Sequence, residues 1–426
     1  MTTSSTRRKF LKQSAMAIAM PTIIPASALG RDGAVAPSNR IVMGAIGIGP
    51  RGRLVLDAFL KQPDAQFVTA CDVQASNCRT AKMMIDRKYG NTDCGSTGEM
   101  LEVLGRDDID AVLIATGDRW HAVASMYAAR AGKDIYSEKP CAITIAECAE
   151  LDETVRRYGR VFQAGTQRRN VSNFRYAVDL ARSGRLGRIH TVHASIYLLE
   201  ERVDWLPAEP EPDPKVADWD RWLGPAPWRP YNIAYVRGGW RWHADFEARG
   251  RLLDWGAHTV DLCQWALGMD GNTPVEFEHD AGTIHARYAN GVKLVLRLGG
   301  FKDEGQWHGL GTCPVRFEGD EGWVEVGDFA KILAGPTSLL DGYKPDGMAG
   351  TDPTGHVRDF LNCVKSRGTT ASNSVATRSS HVACHAAALA WRLGRKLTFD
   401  PATETFTGDA EANRMCRRAR RAPWHA

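Results

Sequence analysis

Between about residues 40 and 165, short apolar runs alternate with amphipathic stretches. Ile41, Val42, Ala45 and Ile46 form a run typical of a strand buried on both faces. Leu54, Val55, Ala58 and Phe59 then recur at helical spacing. Further strand-like runs follow at Phe67–Cys71, Ile109–Thr116, Asp134–Ser137 and Val161–Ala164. Thr144 and Glu147 supply a capping box for a helix running to about Tyr158. This strand–helix repeat predicts a doubly wound parallel sheet. Beyond about 166 the period changes. Ile189–Leu199 alternates as a strand. Ile284–Tyr288 and Val292–Leu298 flank the hairpin turn Ala289-Asn290-Gly291, and Val315–Glu318 and Trp323–Val326 flank another turn at Gly319–Gly322. Helical spacing covers 172–182, 252–267, 355–366 and 375–393. The expected fold class is therefore α/β: a parallel-sheet domain over 40–165, then an α+β domain with a large, mainly antiparallel open sheet over 166–400. Residues 401–426 read as a tail, and Pro207–Pro230 as a proline- and tryptophan-rich connector.

The first strand runs into Gly47-Ile48-Gly49-Pro50-Arg51-Gly52, a G-x-G-x-x-G turn between strand and helix. In a Rossmann domain the first glycine permits the tight turn, the second lets a pyrophosphate approach, and the third brings helix and strand together. Asp72 ends the next strand twenty residues after Gly52, where a carboxylate can hold ribose hydroxyls. Ligands of such sheets lie at the carboxyl ends of the strands, so Gly47, Asp72, Thr116 and Lys139 should share one crevice. The dinucleotide is expected on Gly47, Gly49, Pro50, Arg51, Gly52, Asp72, Thr116, His121, Glu138 and Lys139. Asp72 should repel a 2′-phosphate, so NAD is favoured, with NADP possible as a second choice.

Composition changes this picture in two places. The 426 residues are 43% hydrophobic and 24% charged, as in a soluble protein of two or three domains. Ser5–Lys12 carries a twin-arginine pattern, Ser14–Ile24 a short apolar region, and Ala26-Ser27-Ala28 an A-x-A cleavage site, so residues 1–28 read as an export signal. Cleavage would leave no stable membrane anchor and place the protein in the periplasm. Removing Arg7, Arg8, Lys9 and Lys12 from the 54 basic residues leaves 50, against 50 acidic ones. A neutral mature chain gives no case for nucleic acid from overall charge. Arg414, Arg417, Arg418, Arg420 and Arg421 cluster near the C-terminus and read as a solvated or acid-paired surface. Ten scattered cysteines include no C-x-x-C and no zinc spacing, so neither metal nor a disulfide framework is expected.

Asp254 and His258 stand four apart in a predicted helix and share one of its faces. A carboxylate and an imidazole at this spacing can hydrogen-bond, leaving the second ring nitrogen free to take a proton. The glycine turn, Glu138-Lys139-Pro140 and this D-x-x-x-H together resemble the Gfo/Idh/MocA oxidoreductase family, which includes inositol dehydrogenases and glucose–fructose oxidoreductase. Gln163–Arg169, Trp219–Tyr231 and Ala422-Pro423-Trp424 look like an exported bacterial subgroup. The resemblance implies that Lys139 stabilises a developing alkoxide, His258 acts as base, and Asp254 orients His258 or joins the proton relay. It also implies a carbohydrate substrate, contacted by Arg168, Tyr197, Trp240 and His258, and a homodimer or homotetramer. Gly117-Asp118-Arg119 departs from the usual proline turn, and Arg249-Gly250-Arg251 from a glycine-rich run, so the substrate does not follow by analogy. Among Trp219, Trp222, Trp228, Tyr231, Trp240 and Trp242, inter-domain packing is the expected role for most. The leading reading is an NAD(P)-dependent oxidoreductase of sugars, cyclitols or glycosides with a tightly held cofactor. The alternatives are a redox-neutral glycosidase or lyase working through a transient keto-sugar, and a nucleotide-binding sensor without turnover.

Overall fold

The computed structural model describes residues 35–424, apart from 249, 281 and 300–308. The export pattern at Ser5–Ala28 and Arg249 lie outside the described residues. Six strands form the first sheet: β1 (Ile41–Ile46), β2 (Ala65–Cys71), β3 (Gly95–Thr97), β4 (Ala111–Ile114), β5 (Asp134–Ser137) and β6 (Phe162–Ala164). Their order is β3-β2-β1-β4-β5-β6, and every pairing is parallel. The reversal of strand order beside β1 opens the crevice in which doubly wound sheets bind ligands. The central strands are apolar on both faces because helices cover both; Ala111–Ile114 is fully buried. The Thr144 hydroxyl accepts from the Glu147 amide at 3.2 Å, and Glu147 reaches back to the Ile143 amide at 3.1 Å.

A nine-stranded sheet follows. It comprises β7 (Ile189–Ile196), β8 (Glu276–Asp280), β9 (Thr283–Arg287), β10 (Lys293–Leu298), β11 (Val315–Gly319), β12 (Gly322–Val326), β13 (Ile332–Gly335), β14 (Leu397–Asp400) and β15 (Thr405–Phe406). The order is β13-β12-β11-β7-β10-β9-β8-β14-β15. All pairings are antiparallel except β7–β10, which is parallel because the long connector and a helix intervene between them. The helices Leu252–Leu267 and Ser374–Leu393 pack on one another and on this sheet, contributing Leu253, Val260, Val382 and Leu389 to one large core. Both sheets belong to a single unit spanning 41–426.

The connector has its own order. Trp219 and Trp222 stack at 4.7 Å and pack with Tyr231, Tyr235 and Phe246 in a separate buried cluster. Trp228 stays half-exposed beside Trp205. Residues 401–424 return onto the fold: Thr405–Phe406 adds a strand, and Trp424 is buried edge-on against Trp120 at 5.0 Å. The arginine cluster is largely engaged. Arg420 pairs with Glu150, Arg421 with Asp220, and Arg418, partly buried, donates to the Asp245 carbonyl. All ten cysteines are free and buried.

Candidate active site

The glycine turn is built as its sequence requires. Gly47 has φ +75°, and a Cβ there would lie 2.5 to 2.7 Å from Thr116, so only glycine fits. A Cβ on Gly49 would meet nothing within 4 Å, because its open side faces a cavity. Helix Pro50–Leu60 begins with Gly49 as N-cap and no side-chain cap, which leaves its first N–H groups for an anion. Asp72, just past β2, accepts from the Gln74 amide at 2.8 Å, and burial raises its carboxyl to about 6. These groups line a cavity of about 560 Å³, within the usual range of ligand pockets. Its opposite wall comes from the connector and the tail, through Trp222, Val236, Trp240 and Trp424.

A second cavity of about 280 Å³ adjoins the first, and Arg51, Thr116, Trp240 and Arg241 line both. Lys139, Asp254 and His258 all line it, brought from the loop after β5 and the helix Leu252–Leu267. The Lys139 ammonium donates to Asp254 Oδ1 at 2.9 Å and to the Asp254 carbonyl at 2.7 Å. Arg251 holds the other carboxylate oxygen at 3.1 Å. Burial alone would raise the Asp254 carboxyl; the cations Lys139 and then Arg251 carry it down to about 2. The expected Asp254–His258 bond is absent. Both oxygens are taken by cations, and the buried Nδ1 of His258 has no hydrogen-bond partner. Burial, followed by the charges of Arg168, Lys139 and Arg51, pushes His258 well below an ordinary histidine, so the ring is neutral. Asp254 therefore positions Lys139, and a neutral imidazole stands beside the pair.

Two family models match the chain. An oxidoreductase family model for an NAD-binding Rossmann fold matches residues 41–166, and one for a C-terminal alpha/beta domain matches residues 202–426. The chain belongs to the Gfo/Idh/MocA oxidoreductase family. Its first domain is an NAD-binding Rossmann domain. A 1-carboxy-3-chloro-3,4-dihydroxycyclohexa-1,5-diene dehydrogenase of Comamonas testosteroni is 28% identical over 155 residues, 36% of this chain and 38% of that protein. An alpha-N-acetylgalactosaminidase of Shewanella oneidensis is 31% identical over 137 residues, 31% of this chain and 30% of that protein. The chain thus spans about a third of the length of these two relatives. A levoglucosan dehydrogenase solved with NADH and levoglucosan shares the fold at a TM-score of 0.60, with 16% identity over 84% of this chain and 99% of that one.

The other residues expected at the site divide between lining it and bracing it. Glu138 is buried and accepts from Arg51 at 3.0 Å, which places Arg51 between the two cavities. His121 is held neutral, at about 4, by burial; the shorter of its two contacts, Nδ1 to the Pro140 carbonyl at 2.6 Å, makes it a brace for the Lys139 loop. Arg168 lines the small cavity, but its Nε and Nη2 grip Asp328 at 2.8 and 2.6 Å. Its neighbour Arg169 forks onto Asp261 and Asp270, so this pair of arginines chiefly joins the end of the first sheet to the second domain. Tyr197 is a correction: it packs on Trp255 at 4.4 Å and under Arg251 at 4.1 Å, and it lines neither cavity. Arg251 is likewise enclosed, between Tyr197 and Trp242 and on Asp254.

Four residues of the site escaped the sequence reading. Asp118 and Glu247 line the small cavity and form no ion pair among the described residues. Burial and then the repulsion of Asp254 raise Asp118 to about 7; burial and then Asp118 raise Glu247 to about 8. Arg119 and Trp424 line the large cavity. Asp118 and Arg119 stood in a turn noted only as a departure from the family, and nothing in the spacing of Glu247 or Trp424 marks either as a cavity residue.

Proposed function

We propose that this protein is an NAD-dependent oxidoreductase acting on a secondary hydroxyl or ketone of a sugar, cyclitol or glycoside. One observation carries the reading: a Lys139–Asp254 ion pair and a neutral His258 line a cavity that adjoins the nucleotide cavity and shares its wall. Gly49, the uncapped helix start and Asp72 fit the pyrophosphate and ribose of a dinucleotide. When bound, that cofactor would supply the hydride acceptor. Lys139, fixed by Asp254, would donate to the substrate oxygen and stabilise alkoxide as it develops. His258, whose unprotonated form prevails at neutral pH, would accept the hydroxyl proton. The test is to purify the protein, identify any copurifying nucleotide, and screen sugars and cyclitols for change in nicotinamide absorbance. No turnover of any polyol with either nucleotide would defeat the reading.

A second reading has its own observation. Oxidation of an alcohol needs a base and no further acid, yet the same cavity holds Glu247, raised to about 8 and so mostly protonated near neutrality, and Asp118, raised to about 7 and so about half protonated there. Such an acid would suit departure of the glycosidic oxygen, which leaves as an alcohol when a transient keto-sugar gives up its α proton; addition of water to the resulting enone and return of the hydride would then leave hydrolysis with no net redox change. Product analysis separates the two: sugar release without accumulating NADH favours the second. The twin-arginine pattern at Ser5–Lys12 supports export to the periplasm, and the family resemblance supports a homodimer or homotetramer. Cell fractionation and sedimentation check these two points.

A further inference from the structure

Lys139 sits in a loop outside any strand or helix, between the end of β5 at Ser137 and the helix that starts at Ile145. Backbone outside a ladder takes its position from whatever bonds its N–H and C=O groups. Three buried histidines do this for the three residues after Lys139. From the helix Asp118–Arg130, His121 Nδ1 donates to the Pro140 carbonyl at 2.6 Å. His381 Nε2 accepts from the Cys141 N–H at 3.0 Å, and His385 Nε2 donates to the Ala142 carbonyl at 3.3 Å. These last two stand one turn apart on the helix Ser374–Leu393, and His381 lies 240 residues from Cys141 in sequence.

His381 meets a requirement the other two do not. Pro140 has no N–H, so the Cys141 amide is the first backbone donor after Lys139. An amide N–H needs an acceptor, and only an unprotonated ring nitrogen can serve. The proton of His381 is therefore on Nδ1, which bonds the Thr377 carbonyl one turn back in its helix. Burial lowers His381 to about 3 against that bond, and the Lys139 charge adds to the fall, so the acceptor persists at neutral pH. A carboxylate could also accept here, but its charge would compete with Asp254 for the lysine. His381 is 1% exposed and lines neither cavity. Resting on the role given to Lys139 above, we propose that His381 is a positioning residue for the reaction: by accepting from the Cys141 amide it fixes the loop from which Lys139 reaches Asp254 and the substrate oxygen. The tip of Lys139 is held from the helix Leu252–Leu267 and its base from the helix Ser374–Leu393. These two helices pack on one another, so both ends of the side chain are referred to the same support in the second domain.

The experiment measures steady-state turnover of the polyol that the substrate screen identifies, with NADH affinity and melting temperature, for each full-length variant. His381→Leu keeps the bulk and removes the acceptor. It should lower kcat about 5- to 20-fold and leave KM and NADH affinity within about twofold, because a displaced Lys139 loses alignment rather than binding. His381→Gln can present its amide oxygen to Cys141 and should recover most of kcat. In a Lys139→Ala background, His381→Leu should cost less than about twofold, since the group it positions is gone. Should His381→Leu fail to fold, His381→Asn, whose shorter amide stops short of Cys141, carries the same expectations. An unchanged kcat, a loss that persists in the Lys139→Ala background, or a parallel loss of NADH affinity would overturn the inference and leave the role of Lys139 standing. Full turnover in Lys139→Ala itself would overturn both.

Discussion

Replacing Asp254 by Asn tests whether this carboxylate works through Lys139. The substitution keeps the side chain's shape and removes its charge. The fall of the Asp254 carboxyl from 3.8 to about 2 corresponds to about 2 kcal/mol of net stabilisation of the charged form, gained from Lys139 and Arg251 against burial. The side chain is 30% exposed, so solvent screening reduces the usable part to about 1–2 kcal/mol. At tenfold per about 1.36 kcal/mol, Asp254→Asn should lower kcat about 5- to 30-fold, with nucleotide affinity little changed. Lys139→Ala and His258→Ala should each cost about 100-fold or more. The deciding assay is a pair of double-mutant cycles in steady-state turnover of a verified substrate. In a Lys139→Ala background, Asp254→Asn should cost less than about twofold, because the group it positions is gone. In a His258→Ala background it should keep its full factor. The reverse pattern would refute this reasoning and restore Asp254 as the partner of His258. The charge also stabilises the fold. That contribution is complete above the unfolded value near 3.9 and is lost as pH falls through about 2.

Three further outcomes can be checked. Gly47→Ala should fail to fold or lose all nucleotide, because φ is +75° and Thr116 blocks the Cβ, whereas Gly49→Ala should fold normally and lose NAD affinity; circular dichroism with NADH titration compares them, and normal affinity in Gly49→Ala would contradict the pyrophosphate placement. NAD should bind more tightly than NADP at neutral pH, and the gap should narrow as pH falls through about 6, where Asp72 becomes protonated and stops repelling a 2′-phosphate; tighter NADP binding at pH 8 would show that Asp72 does not face the ribose. If the protein releases sugar without net redox change, that activity should decline as pH rises through about 8 and Glu247 loses its proton; Glu247→Gln should abolish it while leaving alcohol oxidation, and a flat profile would remove Glu247 as the acid.

Much of this architecture was legible in the chain because it rests on local rules. A run such as Ala111–Ile114 is apolar throughout only because helices cover both faces of its strand; the alternation expected from Ile189 is not seen in β7, which is buried from Val192 to Ile196, but it holds in β9, where Ile284 and Ala286 are buried and His285 and Arg287 exposed. The glycine turn was readable because Gly47 meets a backbone requirement that no other residue satisfies. The i,i+4 spacing of Asp254 and His258 correctly gave a shared helix face. It could not give their partners: Lys139 lies 115 residues away in sequence, and its ammonium with Arg251 outcompetes a neutral imidazole for the carboxylate. Tyr197 had a suitable side chain, yet the packing of Trp255 and Arg251 removed it from the cavity. Asp118 and Arg119 follow Thr116 at the carboxyl end of β4, where the strand rule points but names no side chain; Glu247 carries no periodic or motif signal, and Trp424, legible only as part of a family-like motif, reaches the cavity because the tail folds back onto the first domain. Strand order and turn chemistry are written in neighbouring residues. Charge pairing and the closing of a cavity depend on which distant segments meet, and that is settled by the tertiary fold alone.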